Sequence, residues 1–438
     1  MTITRTMRLA AVPLAAIACT GAHAATQISI LFHFPATGDF ASGANPQAGL
    51  TAGPDGSLYG TTSVGGNSNC DCGTVFRLTP PALGQTKWTQ TVLHSFQGYP
   101  NDGQAPLANL TVDSQGNVYG TTLLGGPAQA GTVFMLQNGG SGSWTETVLH
   151  AFSITDGQFP YGSLAFDGTG NLVGTTALGG SANQGTLFAL QPVGANSPLT
   201  VLHDFAGGKD GGQPYSGVTF DAKGNLYGTT SSDGITDASG GTVFQLTPGG
   251  TPTVLHVFTD ITDKCCTKSG GLLTQDGGIP YGNLALDAAG NIYATTEEGC
   301  ESADGGGVFK LAPPVAGGSS WTETTLHCFI GNSNLNKHID GFEPMGGVLI
   351  DAKGNLYGTT VGGGTIGFGA VYKLIPPDAA KKVWKEQLLL SFNGGSDGTD
   401  PFGNLIADTA GNLYGTTIAG DPLNANTMQI GGVYRLTP

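Results

Sequence analysis

One seven-residue phrase recurs along the chain, and it constrains the fold more than any other feature of the sequence. The phrase reads GNLYGTT, or a close variant of it, at seven places: 56–62, 116–122, 170–176, 224–230, 290–296, 354–360 and 411–417. The mean spacing between copies is about 59 residues. A fixed spacing of this kind indicates a fold in which one structural unit is built many times.

Each copy contains four short segments with β-forming residues, which we name a, b, c and d. In the third copy they read GSLAFD, NLVGTT, GTLFAL and LTVLHDF, and they cover 162–167, 171–176, 185–190 and 199–205. Glycine separates these segments as a turn residue; it makes up 74 of 438 residues, against a usual ~7%. No segment has a helical period, so the pattern predicts an all-β protein.

The two ends of the repeat array favour a closed ring. The last copy ends after segment c, at 431–436, and has no segment d. Residues 28–34 (ISILFHF) precede the first segment a and resemble segment d at 92–96 (VLHSF). We therefore predict a seven-bladed β-propeller of four-stranded antiparallel blades over 25–438, closed by an N-terminal strand that completes the last blade.

The first 24 residues have the pattern of a secretory signal peptide. Arg5 and Arg8 precede an apolar run, and Ala22-His23-Ala24 forms an A-x-A cleavage site before Ala25. Cys19 as a lipidated cysteine is the alternative. No later apolar run reaches the ~20 residues that span a bilayer. We expect a protein that is secreted, extracellular or periplasmic, without a transmembrane segment.

Charge excludes one class of partner. Removal of a signal with two arginines and no acidic residue leaves 14 basic and 31 acidic residues, a net charge of −17. An acidic surface without a basic patch repels nucleic acid. We expect a monomer whose partner is a glycan, a small molecule or a cell-surface protein.

The tandem LYGTT, GTVFxL and TVLHxF units resemble those of the bacterial GloVer tandem-repeat family, the choice-of-anchor proteins. The resemblance covers about residues 27–438 and rests on seven matching units. It implies an exported propeller-like protein, often tethered by an interchangeable terminal anchor. It brings no catalytic residues to this sequence.

The d-to-a and b-to-c loops fall on one face of the ring, which we call the top face, and propellers usually bind ligands there. Six d-to-a loops carry Asp-Gly-x-x-Pro, and in three of them Tyr follows the Pro. His338 is the single histidine in a variable loop of this face. Turn formation by Asp and packing between blades by Tyr are the structural alternatives. The candidate ligand-binding residues are Asp156, Tyr161, Asp210, Tyr215, Asp276, Tyr281 and His338.

Two top-face loops depart from the repeat by being acidic. Carboxylate oxygens suit a hard cation, so these loops predict a Ca²⁺ site, which would be the one cofactor. We expect a disulfide of Cys300 with Cys265 or Cys266 to hold the acidic patch, which could also bind a cationic partner. The alternative is a solvated acidic loop that the disulfide holds for stability. The candidate ligands are Asp260, Asp263, Glu297, Glu298, Glu301 and Asp304.

Two classes of function stay open. Almost every candidate acid, histidine and tyrosine belongs to the repeat, so no catalytic residue is assigned. This favours a non-enzymatic exported binding or interaction module for a carbohydrate or a cell-surface partner. The alternative is a propeller enzyme, a lyase or hydrolase that acts on a carbohydrate or a lactone.

Overall fold

The described part of the chain contains seven four-stranded antiparallel sheets, one from each copy of the repeat, and a two-stranded sheet of Gly103–Gln104 with Leu124–Gly125. We number the four-stranded sheets blades 1 to 7 in chain order. The computed structural model describes residues 26–35, 40–66, 69–140, 142–232, 240–258, 277–299, 305–315, 318–330, 340–378, 383–420 and 431–438. These residues hold two 3₁₀ turns, Phe40–Ser42 and Gly208–Asp210, and no α-helix. The predicted all-β propeller with seven blades is confirmed.

Strands a to d follow one another across each blade. Strands a are Thr51–Ala52, Thr111–Val112, Ala165–Phe166, Thr219–Phe220, Ala285–Leu286, Leu349–Ile350 and Ile406–Ala407. Strands b are Leu58–Thr62, Val118–Thr122, Leu172–Thr176, Leu226–Thr230, Ile292–Thr296, Leu356–Thr360 and Leu413–Thr417. Strands c are Thr74–Thr79, Thr132–Asn138, Thr186–Leu190, Thr242–Leu246, Gly307–Ala312, Ala370–Ile375 and Gly432–Thr437. Strands d are Thr89–Ser95, Trp144–Ala151, Leu199–Asp204, Thr253–Val257, Thr322–Cys328, Lys385–Ser391 and Gln27–His33.

The N-terminal strand closes the ring, as predicted. Gln27–His33 runs antiparallel to Gly432–Thr437, with Ile28 opposite Leu436. The Phe34 amide donates to the Gly431 carbonyl at 3.1 Å. Blade 7 also bonds blade 1 directly, because the Thr416 hydroxyl donates to the Ala48 carbonyl at 2.8 Å.

The turn between strands a and b is built by the Asp and Asn that flank it. In blade 4, Asp221 Oδ1 accepts the amides of Lys223 and Asn225, each at 2.9 Å. Asp221 Oδ2 accepts the Asn225 carboxamide at 2.8 Å and the Tyr227 hydroxyl at 3.2 Å. Gly224 has φ +83°, a conformation that favours glycine. These bonds give Asp221, Gly224 and Asn225 a structural role in the turn.

The last three residues of the phrase, Gly-Thr-Thr, contact neighbouring strands. A Cβ on Gly228 would lie 2.5 Å from the Phe244 ring, so a larger residue in this blade would displace the ring. Thr230 shares a hydrogen bond with Thr242 of strand c at 2.9 Å. Thr175 of blade 3 donates to the Ser216 carbonyl of the next blade at 2.8 Å. The phrase is therefore scaffold in every blade.

The core lies between the blades. The Phe that follows each strand d packs edge-to-face on the strand c aromatic residue of the next blade, with centroids 4.9–5.3 Å apart. Such pairs add about 0.5–1.5 kcal/mol beyond area burial. The seven pairs are Phe34–Phe76, Phe96–Phe134, Phe152–Phe188, Phe205–Phe244, Phe258–Phe309, Phe329–Tyr372 and Phe392–Tyr434.

Candidate functional site

A central cavity lies where the seven blades converge, and equivalent residues of all blades form its rim. Each rim residue follows the proline of a d-to-a loop and is half-buried. The cavity volume is 70 Å³. The rim residues are Gln47, Leu107, Tyr161, Tyr215, Tyr281, Met345 and Phe402.

An unusual backbone conformation places each rim residue. The residue before the proline is not glycine in any blade, yet its φ lies between 53° and 60° in all seven. This left-handed conformation costs an L-residue roughly 1–2 kcal/mol, so neighbouring contacts must hold it. In blade 4 a bridge between Gly212 and Ser232 does so. The seven residues are Asn45, Ala105, Phe159, Gln213, Ile279, Glu343 and Asp400.

Three predicted ligand-binding tyrosines lie side by side on this rim. The rings of Tyr161 and Tyr215 meet edge-to-face with centroids 5.4 Å apart, and Tyr215 stacks on Tyr281 at 4.9 Å. Burial raises the pKa of Tyr161 and Tyr215, so both hydroxyls stay protonated. The tyrosines thus line the cavity and also contact one another across blades. We call this surface the tyrosine arc.

Acidic side chains lie beside one end of the arc. Burial raises the pKa of Glu297 to about 7, and the neighbouring charges of Glu298 and Glu343 add to the effect. Burial and the charge of Glu297 raise the pKa of Tyr281. A carboxyl group that titrates near neutral pH can hold or release a proton next to the cavity. Glu343 is not among the residues predicted from the sequence, although it stands directly before a rim proline.

Asparagines line the cavity two residues after the rim position. The Asn283 carboxamide oxygen accepts the Gly217 amide at 2.9 Å, and that of Asn404 accepts the Gly347 amide at 2.5 Å. Each asparagine thus bonds the preceding blade, at a position where that blade has glycine. Asn109 stands at the same position in blade 2 and also lines the cavity. The sequence feature that marks these residues is that each Asn at this place in the repeat follows a copy with Gly there.

The two described Asp-Gly candidates are engaged within their own blades. Asp156 bonds His150 Nε2 at 3.0 Å and accepts the Ser153 amide at 2.7 Å. Burial alone would raise the Asp156 pKa, but these hydrogen bonds outweigh it and lower the pKa. Asp210 likewise bonds His203 at 3.0 Å. Both aspartates thus form a clamp between strand d and the loop after it.

A third carboxylate joins this clamp between blades 1 and 2. His94 bonds Asp102 at 3.1 Å, and a donor atom of each, with one of Glu146, lies within 4.8 Å of the others. Burial and the charge of Asp102 raise the pKa of Glu146 to about 7, against a lowering by His94. Glu146 stands four residues before His150 in strand d, and Glu146 could have been predicted from this spacing.

Several predicted residues lie outside the described part of the chain, so their predicted roles stay predictions. Glu297 and Glu298 are described, and Glu298 forms a bridge with Gly278. A disulfide joins Cys70 and Cys72. The residues outside are Asp260, Asp263, Cys265, Cys266, Asp276, Cys300, Glu301, Asp304 and His338.

Within the described ranges, no helix has the length and apolar character that a membrane crossing requires.

Comparison with solved structures finds similar structures of low sequence identity. PorZ, a surface component of the type-IX secretion system of Porphyromonas gingivalis, has 14% identity and a TM-score of 0.50, with 93% of this chain and 47% of PorZ covered. This chain therefore spans about half the length of PorZ. At this identity the likeness concerns the fold alone.

Two enzymes are similar at lower TM-scores. A gluconolactonase from Xanthomonas campestris has 13% identity and a TM-score of 0.40, with 74% of this chain and 82% of the enzyme covered. A luciferin-regenerating enzyme has 12% identity and a TM-score of 0.42, with 94% and 95% covered. Neither likeness bears on activity.

Comparison of the sequences gives the family. No curated protein matches the sequence. The Gloeobacter/Verrucomicrobia repeat matches four overlapping stretches, 20–237, 71–285, 145–334 and 272–438. These stretches include all seven blades, as the repeat phrase led us to expect. The chain therefore belongs to the Gloeobacter/Verrucomicrobia repeat family.

Proposed function

We propose that this protein is an exported binding module that holds a carbohydrate at the mouth of the central cavity. The tyrosine arc is the observation that carries the proposal. Three adjacent blades supply Tyr161, Tyr215 and Tyr281 at one rim position, whereas the other four supply Gln, Leu, Met and Phe there. Aromatic side chains offer flat apolar faces together with a polar hydroxyl, which suits a sugar ring.

The neighbouring groups suit sugar hydroxyls. Glu297 offers carboxylate oxygens as acceptors beside Tyr281, and the Glu343 carboxylate lies close enough to Glu297 for its charge to act there. Asn283 and Asn404 use their carbonyl oxygens for backbone amides, and the Asn283 NH₂ group also donates to the Ser163 hydroxyl at 3.5 Å. The second N–H of Asn283 and the NH₂ group of Asn404 are the donors that we propose for a ligand. Hydrogen bonds with such groups would fix the orientation of a sugar that stacks on the arc.

Cavity size sets how the ligand binds. Small-molecule pockets usually measure about 300–1,000 Å³, whereas this cavity has 70 Å³. A whole sugar ring therefore stays at the mouth, and only a substituent enters the cavity. This geometry fits the end or side of a longer glycan better than a free monosaccharide.

Export rests on the N-terminal sequence. Arg5 and Arg8, the apolar run and the A-x-A site are together typical of a secretory signal. We expect the mature protein to begin at Ala25, and sequencing of the N-terminus of the exported protein measures this. The proposed Ca²⁺ site in the acidic loops needs a separate calorimetric titration with CaCl₂.

A glycan array on the purified mature protein tests the binding function. We expect selective binding of a glycan class, and calorimetry with a binding glycan then gives its affinity. Tyr215→Ala should weaken binding at least tenfold, which is the loss expected at a central aromatic contact. Tyr99→Ala is the matched control, because Tyr99 is 59% exposed and lies in another top-face loop. Unselective array signals, or a Tyr215→Ala variant with wild-type affinity, would contradict the proposal.

One observation favours the alternative, an enzyme that acts on a carbohydrate or a lactone. A general acid or base works best with a pKa near the operating pH, and that of Glu297 is about 7 beside the arc. If catalysis occurs, hydrolysis of glucono-δ-lactone should exceed the spontaneous rate, with a pH profile that breaks near 7 and is lost in Glu297→Gln. Turnover at the spontaneous rate would leave binding as the function.

A further inference from the structure

The tyrosine of strand b fills a fixed place between blades on the face opposite the central rim. In five blades its hydroxyl donates to the Asp of the a–b turn at 3.0–3.2 Å. Its ring meets an aromatic residue of the next blade at four Trp pairs and one Phe pair: Tyr59–Trp144, Tyr119–Phe166, Tyr227–Trp321, Tyr293–Trp384 and Tyr414–Trp88.

The contact between blades 3 and 4 lacks both large rings. Val173 stands where six other copies have Tyr. Gly250 stands six residues before His256, at the place where Trp144 precedes His150. Phe220 of strand a is the aromatic residue that remains on the blade 4 side.

A cavity of 390 Å³ occupies this place. Its walls are mainly apolar. Leu202 is one of the wall residues and is 38% exposed. An apolar cavity of about 150 Å³ is large enough to bind benzene, so a substituted aromatic ring fits here. The apolar wall residues include Val173, Ala189, Leu202, Phe220, Leu246 and Pro248.

One edge of the cavity is formed by the polar a–b turn of blade 3. Asp167 Oδ1 accepts the amides of Thr169 and Asn171 at 2.8 and 2.9 Å, and Oδ2 accepts the Asn171 carboxamide at 2.8 Å. The a–b turn is thus the same as in the other blades. The tyrosine hydroxyl that bonds Oδ2 in five blades has no counterpart in blade 3, because Val173 carries none.

We propose that the cavity between blades 3 and 4 binds a small molecule with a phenol ring. The ring lies against Val173 and Phe220, and its hydroxyl donates to Asp167 Oδ2, as the tyrosine does in blades 2 and 4 to 7. A neutral phenol suits the site, whereas a ligand carboxylate beside Asp167 would be repelled. This site is separate from the tyrosine arc and does not depend on the proposed carbohydrate function.

Calorimetry of the mature chain with p-cresol, the free form of the tyrosine side chain, tests the proposal. We expect saturable binding of one molecule per chain with a Kd on the order of 1 mM. Toluene has the same shape without the hydroxyl, so it should bind at least tenfold more weakly. Tyr215→Ala should leave the p-cresol titration unchanged, which separates this cavity from the arc.

Two substitutions locate the site. Val173→Tyr restores the repeat residue and should abolish p-cresol binding. Tyr119→Val opens the same place between blades 2 and 3, beside Asp113 and Phe166, and should raise the stoichiometry from one to two. If Val173→Tyr does not fold, the p-cresol stoichiometry measured for Tyr119→Val tests the proposal by itself. Absence of saturable binding to the wild type, equal affinity for toluene, or an unchanged stoichiometry in Tyr119→Val would overturn the proposal.

Discussion

Two tyrosines of blade 4, Tyr215 and Tyr227, show how the scaffold and the candidate site differ. Tyr227 is 5% exposed, bonds Asp221 and packs on Trp321 of the next blade. Tyr215 lies half-buried on the cavity rim. The counterparts of Tyr227 are Tyr in all copies but one, whereas those of Tyr215 include Gln, Leu, Met and Phe. Packing between blades thus keeps the same residue at the Tyr227 position in nearly every copy, whereas the residue at the Tyr215 position varies among the copies.

Ring closure is the scaffold contact whose loss should have the largest effect. Deletion of Gln27–His33 removes strand d of blade 7 and exposes Val433, Tyr434 and Leu436, all fully buried. Burial of each such side chain contributes about 1.5–3 kcal/mol, so the loss approaches the usual total stability of about 5–15 kcal/mol. We expect a chain that aggregates or melts without a cooperative transition in circular dichroism.

Deletion of Leu83 and Gly84 is the control for this experiment. Both residues are exposed, in the loop between strands c and d of blade 1. This variant should melt within a few degrees of the wild type. Similar melting of the two deletion variants would show that the N-terminal strand does not carry the closure.

Gly228→Val tests the most crowded position of the repeat phrase. The new Cβ would lie 2.5 Å from the Phe244 ring, and both the ring and strand b are fully packed. We expect a loss of about 3 kcal/mol, at the upper end of overpacking effects. Ala294→Gly in blade 5 is the control, because that copy already accommodates a Cβ opposite Phe309. Urea unfolding measures both, and a Gly228→Val loss below that of Ala294→Gly would refute the packing argument.

The two tyrosines themselves give the next test. Tyr227→Ala removes a buried ring and its bond to Asp221, so we expect a loss of about 3–4 kcal/mol. Tyr215→Ala removes two ring contacts on the rim, worth about 1–2 kcal/mol together. Urea unfolding should therefore show a larger loss of stability for Tyr227→Ala than for Tyr215→Ala. The loss of glycan affinity should be larger for Tyr215→Ala than for Tyr227→Ala. Equal stability losses would mean that Tyr215 is scaffold as well.

The sequence predicts the scaffold well because each scaffold residue is repeated with its partners at fixed spacing. Asp221, Gly224 and Asn225 form one local turn, so their roles follow from neighbouring residues alone. Closure was predictable because residues 28–34 keep the strand d pattern. Such positions are constrained by contacts that recur in all blades.

The site was predictable only in part, because it joins residues that are far apart in the chain. Tyr161, Tyr215 and Tyr281 share a repeat position, and the ring brings them together. Glu343 precedes Met345 in blade 6, yet its charge acts on Glu297 of blade 5. The length of the top-face loops and the curvature of the ring decide that approach, and local sequence patterns do not encode either one.

Acid titration separates the two regions with a smaller effect. In the a–b turns, burial raises the pKa of Asp221 and Asp408, but the Asn225 and Asn412 bonds outweigh it and lower the pKa. A lowered folded pKa gives stability that is present above the unfolded value of 3.8 and lost as the pH falls through the folded value. The scaffold should therefore lose stability below about pH 4.

Glu297 should have the opposite dependence. Its pKa rises from 4.5 in the unfolded chain to about 7 in the folded protein. Between these values the folded state binds more protons than the unfolded state, so stability falls as the pH rises through this window. Glu297→Gln removes this dependence, and solvent screening at this half-buried side chain keeps the effect small.

Thermal unfolding at pH 5 and pH 8 measures this last difference. We expect the melting temperature of Glu297→Gln relative to wild type to be higher at pH 8 than at pH 5, by about 1–3 °C. Lys223→Gln is the control, since Lys223 is exposed on the opposite face. The expected result would mean that the fold contains a carboxylate beside the tyrosine arc, that of Glu297, whose charge destabilises the protein. A purely structural role would not explain such a carboxylate. A difference of the opposite sign would place Glu297 among the stabilising acids of the scaffold, and it would remove the argument for its role beside the tyrosine arc.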